Sequence, residues 1–576
     1  AAPTEPAEPT RYPPDAWGAG IQSVWASDEE LAAADGYVQP VIQAFMNWDD
    51  VEPAAHGGYD WSRLDSALAE AAGSDQRVAV QINSELPDWV FDHIAQTGTA
   101  RGMRSPQFWD PDYIAYYEQL ITELGSHIAA SPHGDRVLYV RQQWNAVHTE
   151  TTHYDSTTNG DAAGTWVGNP SWVWPSDGHR YEVEWTDQIA LAYERQIIDT
   201  FLDTFRPLGI GVTLRSISSH LPESEWLAFY TGDDPMAWLL LTNATYGKWD
   251  GGMQHTHEFT VMRCLGALGF EETWGNSAAR IAEQNPELSP QQDIYGIVLR
   301  ALQVGLPYIG LYGEDLAMAA DDAEIREALA FGNRYAGWHR YPGTAPGAWL
   351  VLGRFEGTTD WRRLQTLVQN NWGMLMRQND PSGTSVPLAL VGDGASRFGL
   401  TARELTATTT FDVDDTFAEA VRGVQLDLWV TVREGTGTLT AQVDQEGSLT
   451  ELVEQESSTD TGWRRSRYRI DSPRLEGGDD GQTDLALRVD EGAPVVHSVE
   501  LLRTDHPASG SGGGGAGAGA GSSIGGAGAA GQPATGPRAN DDGGCGACTL
   551  GSARSTQGLG IGWGALALGL LRRRRR

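Results

Sequence analysis

From Ala16 to about Tyr341 the chain alternates helical periods with short apolar runs, and this rhythm restricts the fold more than any other feature. WSRLDSALAEAAG sets Leu64, Ala67, Leu68 and Ala71 on one helical stripe and leads into RVAVQI. DPDYIAYYEQLITELGSHIAAS puts Tyr113, Tyr117, Leu120, Ile121, Leu124 and Ile128 on one face, and RVLYV follows. TDQIALAYERQIIDTFLDTF precedes GIGVTL, and Ser289-Pro290 reads as an N-cap with proline in the first turn of a helix leading to LPYIGLY. Runs apolar at both parities fit strands of a parallel sheet with both faces covered. A rhythm of this length fits a (β/α)8 TIM barrel over residues 15–345, and no glycine-rich nucleotide fingerprint follows any strand, which weighs against an open doubly wound sheet.

Further along, the period becomes two. In VQLDLWVTVR, Val424, Leu426, Leu428, Val430 and Val432 alternate with polar residues and Trp429, and LTAQV, TDLALRV and VVHSVELLR are similar. This predicts an all-β sandwich, jelly-roll-like, over residues 346–505. Residues 1–14 are proline-rich and read as a disordered N-terminal arm without an export signal of their own. Residues 506–544 form a Gly/Ala/Ser-rich flexible linker. The last segment, 545–576, holds the 17-residue uncharged run Ser555–Leu571, read as a short hydrophobic helix at the lower limit for spanning a bilayer, and five closing arginines.

With 77 acidic against 40 basic residues the net charge is −37, which excludes nucleic acid as a natural partner. Only Lys248 among the cations is a lysine, and an acid-rich, lysine-poor chain of this kind is consistent with either a salty habitat or a GC-rich genome. Of the three cysteines, Cys264 lies in an apolar stretch, while Cys545 and Cys548 lie in the tail.

Two stretches resemble known families. Residues 543–576, with a Gly-Cys motif, a short hydrophobic span and an arginine cluster, closely resemble the MYXO-CTERM sorting signal of myxobacterial surface proteins. That resemblance implies export, processing by a sorting protease near Cys545 or Cys548, and attachment to the cell surface through the C-terminal segment or a lipid anchor. From Trp17 to Asp315 the chain resembles the clan of retaining (β/α)8-barrel glycoside hydrolases, closest to β-galactosidase-like members such as family 42. The residues that carry it are Trp48, Glu52-Pro53 and Gly58-Tyr59-Asp60-Trp61.

This second resemblance implies an oligo- or polysaccharide substrate, no cofactor, and two carboxyl groups across the scissile bond, at the ends of strands four and seven. Glu272 in GFEETWGN is the expected nucleophile, with Glu271 as the alternate, since adjacent strand residues face opposite ways. The clan's acid follows an asparagine on strand four, but here Asn145 is followed by Ala146. Three readings stand: Glu150 supplies the acid from a longer loop, the barrel has lost hydrolysis and only binds glycans, or the strand count differs. A structural surface protein is the remaining class. Substrate-binding positions expected at strand ends are Trp48, Asn83, Glu85, Arg141, Gln143, Asn145, His148, Arg215, Trp274, Tyr312 and Glu314. Gln254 and His255 are expected after a sixth strand near YGKWDGGM. The His148-x-Glu150-x-x-His153 spacing is not the zinc-protease helix motif, and no metal site is expected.

Overall fold

The computed structural model describes residues 11–94 (75 excepted), 96–100, 103–145, 170–173, 181–184, 187–215, 221, 225, 237–242, 269–272, 278, 288–353, 371–389, 396–445, 447–471, 473–475 and 483–507. Eight parallel strands form one sheet: β1 (Gly20–Val24), β2 (Val41–Asn47), β3 (Arg77–Asn83), β4 (Val137–Arg141), β5 (Gly211–Arg215), β6 (Ala237–Thr242), β7 (Gly269–Glu272) and β8 (Tyr308–Tyr312). From β2 onward each strand pairs with the next in chain order and β8 pairs with β1, so the path runs from β2 round to β1. Just ahead of β2, the Gln39 N–H donates to the Ile21 carbonyl of β1 at 2.7 Å, bringing the two ends of the path together in a barrel-like ring. The fourth, seventh and eighth strands are the segments expected from sequence. The sixth is not: it is AWLLLT, twelve residues before Gln254, and Gln254 and His255 lie outside the described residues.

The helices lie outside this ring. The stripes Leu64–Ala71 on α2 (Ser62–Gly73) and Tyr113–Ile128 on α3 (Pro111–Ala130) are buried, as the helical period demands. Asp110 caps α3 and Ser289 caps α5 (Pro290–Val304) through a complete capping box with Gln292. Between them runs α4 (Asp187–Phe205). On the strands, Ile21, Val78, Val80, Val140, Val212, Ile309 and Leu311 are buried and share the outward parity.

The inward parity differs from the expectation of runs apolar on both faces. Its lowest layer has large residues on even strands, Tyr139, Trp238 and Tyr308, whose rings lie 5.4–6.0 Å apart. Odd strands contribute Gly20, Ala79 and Gly211 beside them. A methyl added at Gly211 would come within 2.5 Å of the Trp238 indole, so the small residue is what admits the large one. The Tyr139 hydroxyl donates to Gln22 Oε1 at 2.8 Å, spanning the interior from β4 to β1. The layer above is largely polar: Gln22, Gln81, Arg141 and Thr213, with Phe45.

Antiparallel strands between Gly347 and Arg503 make an eight-stranded and a five-stranded sheet. In Leu426–Arg433, Leu426, Leu428, Val430 and Val432 are buried, so the period-two pattern sets the face. At one end, Asp484 is buried, with its Oδ2 accepting from the Val413 N–H at 2.8 Å. Burial, then the nearby Asp412, Asp444 and Asp415, push its carboxyl up to about 7 against the lowering effect of that bond. The folded form therefore holds a proton that the unfolded chain releases above about pH 4, and stability falls as pH rises from there through 7. Asp484→Asn keeps the acceptor and removes the titration. Its advantage over the parent protein should widen between pH 4.5 and pH 8 to about 2 kcal/mol after allowance for solvent screening. Thermal melts across that range test this; a constant or shrinking gap contradicts it.

Candidate active site

In a parallel barrel the loops after the strands build the site. Strand β4 stops at Arg141, so alternation no longer places Gln143 and Asn145, as the sequence expectation had it. Side chains of the flanking helices hold them instead. The Tyr117 hydroxyl of α3 donates to the Gln143 carbonyl at 2.8 Å, Tyr193 of α4 to that of Trp144, and Tyr113 of α3 to that of Asn145. Burial raises all three hydroxyls far above the ordinary tyrosine range, so they remain donors at any working pH. The Gln142 N–H donates to the Thr213 carbonyl of β5 at 3.1 Å. So held, Asn145 adopts φ +46°, a left-handed conformation that a non-glycine residue keeps only where its surroundings impose it.

The result is a cluster of buried amides. Asn145 is 0% and Gln143 1% exposed, and among the described residues both polar atoms of each side chain have no protein partner. Gln81 Oε1, Gln22 Nε2 and Thr213 Oγ1 are in the same state. Leaving such an atom unpaired costs about 1–3 kcal/mol, so these amides keep hydrogen-bonding capacity that ordered water or a polar ligand can take up. At the rim, Asn83 Nδ2 donates to Asn47 Oδ1 at 3.4 Å, and Asn83 Oδ1 accepts from Gln81 Nε2.

The structure places the other expected residues as follows. Trp48 is a correction: it has no exposed surface, its indole N–H donates to Glu52 Oε2 at 2.8 Å, and its rings pack on Tyr113 and Tyr117. It supports the tyrosines that hold Asn145 and Gln143 and does not face the mouth. Glu52 is likewise a buried hub, accepting also from the Gly57 N–H at 2.5 Å and meeting His56 at 3.1 Å. Arg141 is buried with its guanidinium 5.1 Å from the Phe45 ring. Glu85 is half-buried; burial, and beyond it Asp49 and Asp50, raise its carboxyl. Tyr312 is half-buried at the end of β8, and Glu314 is exposed in α6 (Gly313–Ala317).

Arg215 ends β5 in register with Leu240. Glu272 pairs with Thr242 and Gly310, and Gly310 with Gln22, so Glu272 sits on the inward row; Glu271 pairs with Leu241 and Ile309 on the outward row. Glu150, His148, Trp274, Cys545 and Cys548 lie outside the described residues. Among the described residues no group of His, Cys, Asp or Glu could hold a metal ion, and no helix is long and apolar enough to cross a membrane.

Sequence reasoning missed Trp25, which directly follows β1 and is 43% exposed at φ +50°. It also missed the hydroxyl roles of Tyr113, Tyr117 and Tyr193. Helical period marked Tyr113 and Tyr117 only as core.

No family model matches the chain, and no curated protein matches it. Among solved structures it is similar to the catalytic domain of a β-amylase from Paenibacillus polymyxa, at 10% identity and TM-score 0.36, covering 55% of this chain and 97% of that one. A β-galactosidase from Rahnella sp. R3 matches at 13% identity and TM-score 0.36, covering 60% of each chain. A family 5 xyloglucanase from Paenibacillus pabuli matches at 10% identity and TM-score 0.33, covering 55% of this chain and 99% of that one.

Proposed function

We propose that this protein is a (β/α)8-barrel glycoside hydrolase of the retaining type, acting on β-linked glycans. The observations that support the reading are the place of Glu272 on the inward register row of β7 and, separately, the buried amides of Gln143 and Asn145 just after β4. In the mechanism, the Glu272 carboxylate attacks the anomeric carbon while Glu150 gives its proton to the leaving oxygen. Water, deprotonated by Glu150, then releases the sugar from Glu272. Such a pair works at a carboxyl separation of about 5–5.5 Å. The Asn145 amide bonds a hydroxyl next to the reacting carbon, a contact that strengthens as the ring flattens. The tail supports export and attachment to the cell surface after processing at Cys545 or Cys548.

Ala146, where the clan carries its acid, favours a second reading in which the barrel binds glycans without cleaving them. Proton NMR of the full chain incubated with cello-, xylo- and β-galacto-oligosaccharides separates the two. New reducing ends that first appear as the β-anomer support the retaining hydrolase. Saturable binding without product supports the second reading, and neither product nor binding removes both.

A further inference from the structure

We propose that Trp25 is the stacking platform of this site and that its ligand is a neutral pyranose. This rests on the glycan reading above and adds to it the surface that carries the sugar ring. The other exposed large apolar residues among the described ones are Leu208, which precedes β5, and Val386, Leu449 and Val453, which lie beyond Gly347 in the chain. Trp25 alone among them follows directly on the C-terminal end of a barrel strand.

Its backbone is held there at a cost. A bulky residue at φ +50° is a conformational outlier, and such strain persists only where neighbours impose it. On one side β1 is fixed by its pairing with β8, down to Val24 against Tyr312. On the other, Ser27 opens α1 (Asp28–Ala33) with a complete capping box, its N–H and hydroxyl both donating to Glu30 Oε2 at 2.7 and 2.8 Å. Ala26 and Glu30 in turn press on Gly313, where an added methyl would lie 2.8 Å from the Ala26 Cα. Between these anchors the indole stands edge-on to Phe45 at 5.0 Å, and Arg141 backs the Phe45 ring. One edge of Trp25 is thus braced by the barrel while much of the ring remains in solvent. An amphipathic pyranose covers such a face with its C–H groups while its hydroxyls reach the amides behind.

The charge of the rim gives the second half of the inference. Asp49 and Asp50 follow β2, Glu85 and Asp88 follow β3, and the Asp49 N–H donates to the Glu85 carbonyl at 2.8 Å. Burial raises Asp49, and Asp50 and Asp88 raise it further, as Asp49 and Asp50 do Glu85. Carboxylates that repel one another in this way also repel a uronate or sulfated ring brought beside them.

Calorimetric titration of the full-length protein and of its Trp25→Gly and Trp25→Phe variants with cellotetraose, xylotetraose, β-galactotetraose and tetragalacturonate tests the proposal, with a thermal melt of each variant. Trp25→Gly should weaken binding of the preferred neutral tetramer roughly tenfold, Trp25→Phe should retain most of it, and tetragalacturonate should bind no variant. The Trp25→Gly melt should stay level or rise, because glycine accepts this backbone freely. Unchanged affinity in Trp25→Gly overturns the platform, as does a melt lowered by more than about 5 °C, which marks a packing role. Tetragalacturonate binding as tight as the neutral tetramers overturns the charge argument. If no neutral tetramer binds the parent protein, the glycan reading itself falls, and Trp25 with it.

Discussion

Glu272→Gln should lower the rate of glycoside cleavage by roughly a thousandfold or more, while Glu271→Gln should leave it within a few-fold. The two side chains are neighbours in sequence, so composition and local charge cannot separate them. Register does. Glu272 belongs to the row that runs through Thr242, Gly310 and Gln22, and Gln22 receives the Tyr139 hydroxyl across the interior. Glu271 belongs to the row of Leu241 and Ile309, and Ile309 is buried on the helix-facing side. A strand has no third choice, since successive residues face opposite ways. Because amide for carboxylate is nearly isosteric, a loss in Glu272→Gln without a change in melting temperature reports chemistry and not folding. The two variants' kcat on the oligosaccharide that the parent cleaves best decide the matter. Loss in Glu271→Gln alone would mean that the nucleophile is the other residue. Equal activity in both would remove the carboxylate of β7 from the mechanism.

What the sequence displays of this molecule is what periodicity encodes. The apolar runs of β3, β4, β5 and β8 and the stripes of α2 and α3 are visible because burial on a helix or strand repeats every 3.6 or 2 residues. AWLLLT has the same character, yet a six-residue apolar run does not distinguish a buried strand from part of a helix, and β6 was expected later in the chain. The site is harder to read, because it depends on distances between elements. Tyr113 and Tyr117 obey the helical period and look like core; that their hydroxyls hold the carbonyls of Asn145 and Gln143 follows only from how α3 lies on β4. Trp48, expected at the mouth from a resemblance in sequence, is buried instead, with its N–H donating to Glu52. No residue pattern announces the positive φ of Trp25 or Asn145, which arises from anchors far apart in the chain.

Glu500→Leu should destabilise the protein by about 3–5 kcal/mol, and the double variant Arg334→Met with Glu500→Leu should recover most of that loss. The pair joins the two halves of the described chain. Arg334 lies on α7 (Ala323–Tyr335), beside β1, while Glu500 lies on the strand Val495–Arg503 of the eight-stranded antiparallel sheet. Their atoms meet at 2.7 Å, with Glu500 also accepting from the Tyr335 hydroxyl at 2.9 Å and from Arg465 at 3.3 Å. Burial alone would raise the Glu500 carboxyl, but Arg334 and Arg465 outweigh it and hold it below its ordinary range. Around the pair, Arg397 reaches Glu324 and Glu327 of the same helix, and the Tyr295 hydroxyl meets His497 at 3.2 Å, the imidazole being pushed down to about 3 by burial and so neutral. Removing Glu500 leaves the Arg334 guanidinium charged where water does not reach it, and that desolvation exceeds the value of the lost pair. Arg465, a quarter exposed, can turn to solvent, so the penalty falls on Arg334, and an apolar residue there relieves it. Chemical denaturation of the parent, single and double variants supplies the test. Recovery in the double variant would show that the charges set how the sheet docks on the helices without supplying most of its stability. A loss that persists undiminished would assign the stability to the Tyr335 and Arg465 contacts with Glu500, and a single variant as stable as the parent would show that the pair contributes nothing to docking.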